Sequence, residues 1–431
     1  MKAALLILTL FPALSCMAQD WNLDKCLSYA LENNKQLLSS RYGTEIQSME
    51  RKAVQGRLFP EISASANLDY YWKVPVQTLP GELVGQSPGT FITVPTTTTH
   101  AGCYGIDVKL NLINPEIWSE IKLSALREQA KRHEHASVEK LLSRNVSISF
   151  YLVQQYSNEF ATARQRYDNQ KQVHELVKKM FNEGLLDQIS FNQSLGLLKN
   201  QEEIYLQAGY KVESGLADLK FWMGYPLDSV LTVQQNNQIP APEIGCFESN
   251  RLPDYEAERL KIDIAERDNK ARLSAFYPKL ELVGSYGQLG FGEKSKYITQ
   301  SSAWHTSSFV GVRLSIPLFS MSNVRQSQKG KIIVAQAKQD FQHYENSQRR
   351  AFMQHAINLQ SGWETLHIQE EKLRLAEENE RLSIQKIESG IIDMLQLKQI
   401  QQDLMDEQNK YNQAITNYLK HYVEIIYLQS K

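Results

Sequence analysis

The chain has 431 residues, a formal net charge of −1 and 42 % hydrophobic residues, a balance that gives no sign of the basic surface a nucleic-acid partner favours. Four cysteines without regular spacing exclude a disulfide framework or a cysteine-based metal site. At the N-terminus, Met1-Lys2, the apolar run Ala3 to Leu14 and Ser15-Cys16-Met17-Ala18 read as a signal peptide over residues 1–18. Cys16 leaves lipidation open, although Ala13 stands where a lipobox usually has Leu. No other run reaches about 18 apolar residues, so no transmembrane helix is expected.

In chain order, the first repeat (19–223) opens with a helix over Leu23–Leu58, followed by a strand at about 61–72. There Ile62, Ala64, Ala66, Leu68 and Tyr70 alternate with Glu61, Ser63, Ser65, Asn67 and Asp69, the two-residue period of a strand with one apolar face. A long loop rich in Pro and Thr leads to a second strand at about 104–112, where Tyr104, Ile106, Val108 and Leu110 oppose Asp107, Lys109 and Asn111. Residues 116–183 hold no Pro and no Gly, and Val146, Val153, Phe160 and Tyr167 recur every seventh position, which predicts a long coiled-coil helix. Gly184 ends it, and a helix over 187–222 folds back. The segment 224–253, with six Pro and Gly residues, reads as a linker.

The second repeat (254–431) follows the same plan: helix 254–276, strands at about 279–289 and 309–318, long helix 320–389 and helix 394–428. A constant shift of 206 carries Gly105 onto Gly311, Gly184 onto Gly390 and Tyr205 onto Tyr411, while Phe59-Pro60 meets Tyr277-Pro278 at a shift of 218. The chain is a duplicated half-protein.

A half-buried sheet in a soluble sandwich would alternate in the same way. Strand length, tyrosines near strand ends and long irregular loops favour membrane β-hairpins instead. Four strands cannot close a barrel, and open edges in lipid leave backbone groups unpaired at several kcal/mol each, so several copies must join. The polar faces carry Asp69, Asp107, Lys109, Glu281 and Arg313, which predicts a water-filled lumen and favours twelve strands from three chains over eight from two.

These features resemble the TolC family of outer-membrane efflux proteins. The marks are Trp21-Asn22-Leu23 with Cys26-Leu27, Ala30-Leu31 and Asn33-Asn34, the Phe59-Pro60 and Tyr277-Pro278 corners, Pro317-Leu318-Phe319, the Gly184 and Gly390 turns, and Met223-Gly224-Tyr225-Pro226. The resemblance covers essentially all of the mature chain. It implies an α+β membrane protein: a homotrimer with a twelve-stranded barrel in the outer membrane of a Gram-negative bacterium, continued by an α-helical tunnel through the periplasm. It also implies a periplasmic adaptor (a membrane fusion protein) contacting the tips Gly184-Leu185 and Gly390-Ile391, and an inner-membrane transporter behind it. Aspartates that often ring the tunnel entrance in this family are replaced here by Gln396 and Gln399, leaving Asp187 and Asp393 as the nearest acids.

No catalytic residue, cofactor or metal site is expected. His133 and His135 lie two apart on a helix and point different ways, and no phosphate-binding glycine loop is present. The expected activity is therefore passive, gated export of small molecules through a tripartite efflux system. The alternatives are the duct of a type I protein-secretion system and, from a different class, a periplasmic coiled-coil spacer without a pore.

Overall fold

The structure is a computed structural model that describes residues 20–235, 239–388 and 394–429. The signal-peptide expectation, Cys16, Gly390, Ile391 and Asp393 lie outside the described residues. The chain divides into two compact units, each drawing on both sequence halves. One comprises Thr44–Lys131 and Ala257–Phe341; the other comprises the described parts of Met1–Gly43, Arg132–Glu256 and Gln342–Lys431.

The first unit holds an antiparallel sheet of β1 (Glu61–Tyr70), β4 (His100–Ile113), β5 (Lys279–Gly292) and β6 (Trp304–Ser315) in the order β1-β4-β5-β6. The connection from β1 to β4 carries a small hairpin, β2 (Val76–Pro80) with β3 (Phe91–Pro95), where the sequence suggests only irregular loop. Two strand limits also differ from expectation. β4 starts at His100 rather than near 104, and β6 covers 304–315 rather than 309–318. Pro317 has no N–H to donate to a ladder, which fits the end of β6 before it. At its start, Trp304 lies against Gly290, where an added Cβ would meet the indole at 2.8 Å.

Close approach of backbones dictates the sequence once more at the centre. Gly105 and Gly287 stand directly opposite each other, and a Cβ on Gly105 would fall 2.9 Å from Gly287 Cα. Any side chain there would force β4 and β5 apart. Below the strands, helix α2 (Lys35–Gly56) is tied to α3 (Pro115–Asn182) by Arg51–Glu128 at 3.0 Å and Arg57–Glu120 at 2.5 Å. Helix α5 (Tyr255–Leu273) is tied to α6 (Met321–Glu388) by Lys338–Glu266 at 3.0 Å.

The second unit is helical. The single helix expected over 23–58 is interrupted: α1 (Leu23–Asn33) stops at Asn34, and α2 begins at Lys35. Asn34 leaves the helical region at ψ 124°, donates Nδ2 to Trp222 O at 2.8 Å and accepts from Leu37 N at 3.0 Å. One buried side chain thus closes one helix and caps the next. Helix α4 (Gln188–Met223) packs on α1 and α3 through Cys26, Ala30, Val146, Val153, Leu219 and Met223.

Helices α6 and α7 (Met394–Gln429) bury Phe352, Leu359 and Leu366 against Ile415, Tyr418 and Leu419, with Leu252 of the linker. Tyr418 Oη donates to Pro240 O at 2.5 Å, anchoring the linker to this core. Both α3 and α6 have 68 residues, which at 1.5 Å per residue makes each about 100 Å long. Leu359 is fully buried, so Leu359→Ala is expected to cost about 2–5 kcal/mol; thermal melts of the detergent-solubilised protein followed by circular dichroism would register the loss.

Candidate channel wall and helix-turn tip

Strand alternation divides the sheet into two unlike faces. On one face, partners in register form the rows Leu110–Leu282–Val312, Ile62–Val108–Gly284–Val310 and Ala64–Ile106–Tyr286–Ser308. Most of these side chains are exposed, with Ile62, Val310 and Val312 each more than three-fifths accessible. A contiguous apolar surface of this kind marks contact with a partner or with lipid.

Aromatic residues stand at both ends of it. Tyr70, Tyr104 and Trp304 lie toward the loop end, with Tyr104 and Trp304 at 5.0 Å, while exposed Phe59, Tyr277 and Phe319 flank the end nearer the helices. From Phe59 to Tyr70 the chain rises about 36 Å, and a tilt of about 40° leaves a band of about 28 Å, close to the ~25 Å apolar belt between the aromatic girdles of outer-membrane barrels. The strands have 10, 14, 14 and 12 residues, enough to cross a bilayer at such a tilt.

The opposite face carries all five charged residues singled out from sequence: Asp69, Asp107, Lys109, Glu281 and Arg313. Lys109 Nζ lies 3.1 Å from Glu281 Oε1, and Ser65 Oγ approaches Asp107 Oδ2 at 3.5 Å. This face is polar without being uniformly so, because Val283, Leu289 and Phe309 share it. The sheet has two free edges, β1 and β6.

In the helical unit, the turn between α3 and α4 is built by two caps. Gly184 takes a left-handed φ of +78°, so Leu185 N reaches back to Met180 O at 2.9 Å and Gly184 N to Phe181 O at 3.0 Å, the Schellman arrangement. Asp187 caps α4 by accepting from Ser190 N at 2.8 Å; hydrogen bonds from Ser190 hold its carboxyl below the usual range. Leu185 and Ile189 are each 65 % exposed on this turn, the second of them unnoticed in the sequence. Of the other tip candidates, Gln396 and Gln399 lie in the first turns of α7, where Gln399 donates to Asp403 at 2.8 Å.

Behind the turn, Val173, Val177 and Leu397 form an apolar plug, and His174 Nδ1 lies 3.0 Å from Ser194 Oγ, both side chains buried. Next to the plug comes a polar layer. Gln401 Nε2 donates to Gln170 Oε1 at 2.7 Å and to Glu380 Oε1 at 3.2 Å, and Arg166 donates to Gln408 at 2.9 Å and Glu377 at 3.1 Å. Gln170 and Gln401 are 3 % and 4 % exposed, and Gln170 Nε2 has no hydrogen-bond partner among the described residues.

The signal for this layer is present in the sequence. Glu380 is the next seventh position after Leu366 and Leu373, and Gln170 stands between Ala163 and Val177 in the same spacing. A polar residue in an apolar seam sets register at a cost in stability.

Burial pushes the Glu380 carboxyl above its ordinary 4.5, with Arg166 opposing. A carboxylate whose folded value is raised contributes most stability below pH 4.5 and loses it as pH rises through the raised value. Glu380→Gln is therefore expected to slow amide hydrogen exchange in 374–384 and 397–405 at pH 7 and to leave it unchanged at pH 4.

Comparison with known proteins agrees with this architecture. Residues 249–428 match the outer membrane efflux protein family. No curated protein matches the chain in sequence.

Among solved structures, the CmeC outer membrane channel of Campylobacter jejuni superposes with a TM-score of 0.74 at 14 % identity, over 96 % of this chain and 87 % of that one. The outer membrane protein VceC of Vibrio cholerae gives 0.73 at 13 %, over 95 % and 96 %. The MtrE outer membrane channel of Neisseria gonorrhoeae, solved in an open state, gives 0.70 at 15 %, over 94 % and 88 %. The resemblance to the TolC family of outer-membrane efflux proteins thus holds by sequence over the second half and by fold over nearly the whole chain.

Proposed function

We infer that the protein is the outer-membrane exit duct of a tripartite efflux system, a homotrimer that lets small molecules pass through the periplasm and outer membrane of a Gram-negative bacterium. The observation that carries this reading is the two-faced sheet with free edges on β1 and β6. In hydrocarbon, each unpaired backbone group costs several kcal/mol, so the apolar face meets lipid only when the edges are paired with other copies. Three copies supply twelve strands, and the charged face then lines water. A spacer without a pore leaves the apolar face unexplained.

Transport is passive, because the fold supplies a wall and the energy comes from an inner-membrane transporter. The exposed Leu185 and Ile189 on the α3–α4 turn offer the apolar contact for a periplasmic adaptor, with Gly184 holding the turn in shape. Gating shifts the helices near that turn, where the polar layer around Glu380 interrupts the apolar seam. The charges carried into the lumen, Asp69, Asp107, Lys109, Glu281 and Arg313, are of both signs and select no single cargo.

Two measurements test the reading. The purified oligomer in planar bilayers, with its adaptor added, is expected to conduct ions in discrete steps; a correctly assembled oligomer that stays silent refutes the channel. Leu185→Asp is expected to abolish crosslinking to the adaptor while the oligomer persists, and unchanged crosslinking would place the docking surface elsewhere.

A further inference from the structure

The two free edges of the sheet carry unlike charges. Edge strand β1 begins at Glu61, edge strand β6 carries Arg313, and both belong to the polar face near the helix end of the strands. Between them, Lys109 on β4 stands directly opposite Glu61, its Nζ lies 3.1 Å from Glu281 on β5, and Glu281 stands directly opposite Arg313. The signs alternate, negative, positive, negative, positive, across all four strands. Because Lys109 leans toward Glu281, neither Glu61 nor Arg313 has an ion-pair partner among the described residues, and both are exposed.

We propose that Arg313 of one copy pairs with Glu61 of the next, closing the barrel head to tail with an unbroken ring of alternating charge and setting the register of closure. The inference rests on the channel reading above. Strands β4 and β6 run against β1 and β5, so β6 of one copy continues the antiparallel ladder onto β1 of its neighbour.

Face alternation forbids a slip of one residue at that junction, since it would turn the apolar set toward water. It does not forbid a slip of two. The charge pair narrows those remaining registers to the ones that leave Arg313 directly opposite Glu61 or one diagonal step from it, the reach Lys109 and Glu281 already use, and rejects larger slips. The same contact rejects the wrong edges: two β1 edges would oppose Glu61 to itself, and two β6 edges Arg313 to itself.

The test uses full-length protein extracted from outer membranes in mild detergent. Glu61→Arg and Arg313→Glu, each alone, place like charges at every junction and are expected to lower the oligomer fraction about tenfold or more. Combined, they return opposite charges to the junction and are expected to raise the oligomer fraction above that of either single variant, short of full recovery because each swapped charge then faces a like one within the chain, at Lys109 and Glu281. Single variants that assemble like the unmodified protein, or a double variant no better than the singles, overturn the proposal. An unmodified protein that forms no oligomer overturns the channel reading and this inference with it.

As an independent measurement, Glu61→Cys with Arg313→Cys in a chain carrying Cys103→Ser and Cys246→Ser, which removes the exposed free thiol, is expected to give reducible intermolecular crosslinks on oxidation, absent from either single cysteine variant. An assembled oligomer that gives none also refutes the pairing.

Discussion

A four-stranded sheet that is apolar on one side and charged on the other cannot be at rest alone in either lipid or water. In water it exposes rows such as Ile62–Val108–Gly284–Val310, and in lipid it leaves the backbone groups of β1 and β6 without partners. Everything else about the sheet follows from that tension. The strands are long enough to cross a bilayer, the aromatic residues gather at their two ends, and glycines at 105 and 287 let neighbouring backbones close up where side chains would hold them apart.

The helical unit answers a different problem. Helices of 68 residues have little interior, so their stability comes from a narrow seam repeated every seven positions. Near the α3–α4 turn that seam first becomes an apolar plug at Val173, Val177 and Leu397, and then a polar layer at Gln170, Gln401 and Glu380. The layer gives up hydrophobic stabilisation and leaves the Gln170 amide NH2 without a partner among the described residues. A seam that is locally less stable is also one that moves at lower cost, and it lies beside the turn whose apolar residues are exposed.

Much of this was legible in the residues. Alternation with a period of two placed Asp69, Asp107, Lys109, Glu281 and Arg313 on one face, and the register of the strands brings the same five together. The Gly184 turn was equally plain, since a glycine after a long glycine-free helix leaves few other readings. What escaped notice were features whose cause lies far away in sequence. The break at Asn34 depends on Trp222, 188 positions distant. Ile189 counts as part of the tip only because the turn exposes it. Glu380 stands one heptad after Leu366 and Leu373, yet its burial depends on Gln401 and Arg166 arriving from other helices.

Local periodicity thus determined the four strands of the main sheet, the coiled-coil helices and the Gly184 turn, because each is written within a few neighbouring residues. Tertiary structure decided the order β1-β4-β5-β6, in which the two hairpins of the halves join through β4 and β5, and so decided which strands are left as edges. It also decided that Lys109 turns to Glu281 and away from Glu61, leaving opposite charges at those edges. Pairing between distant strands is a long-range choice among registers of similar local quality, and only the folded sheet makes it.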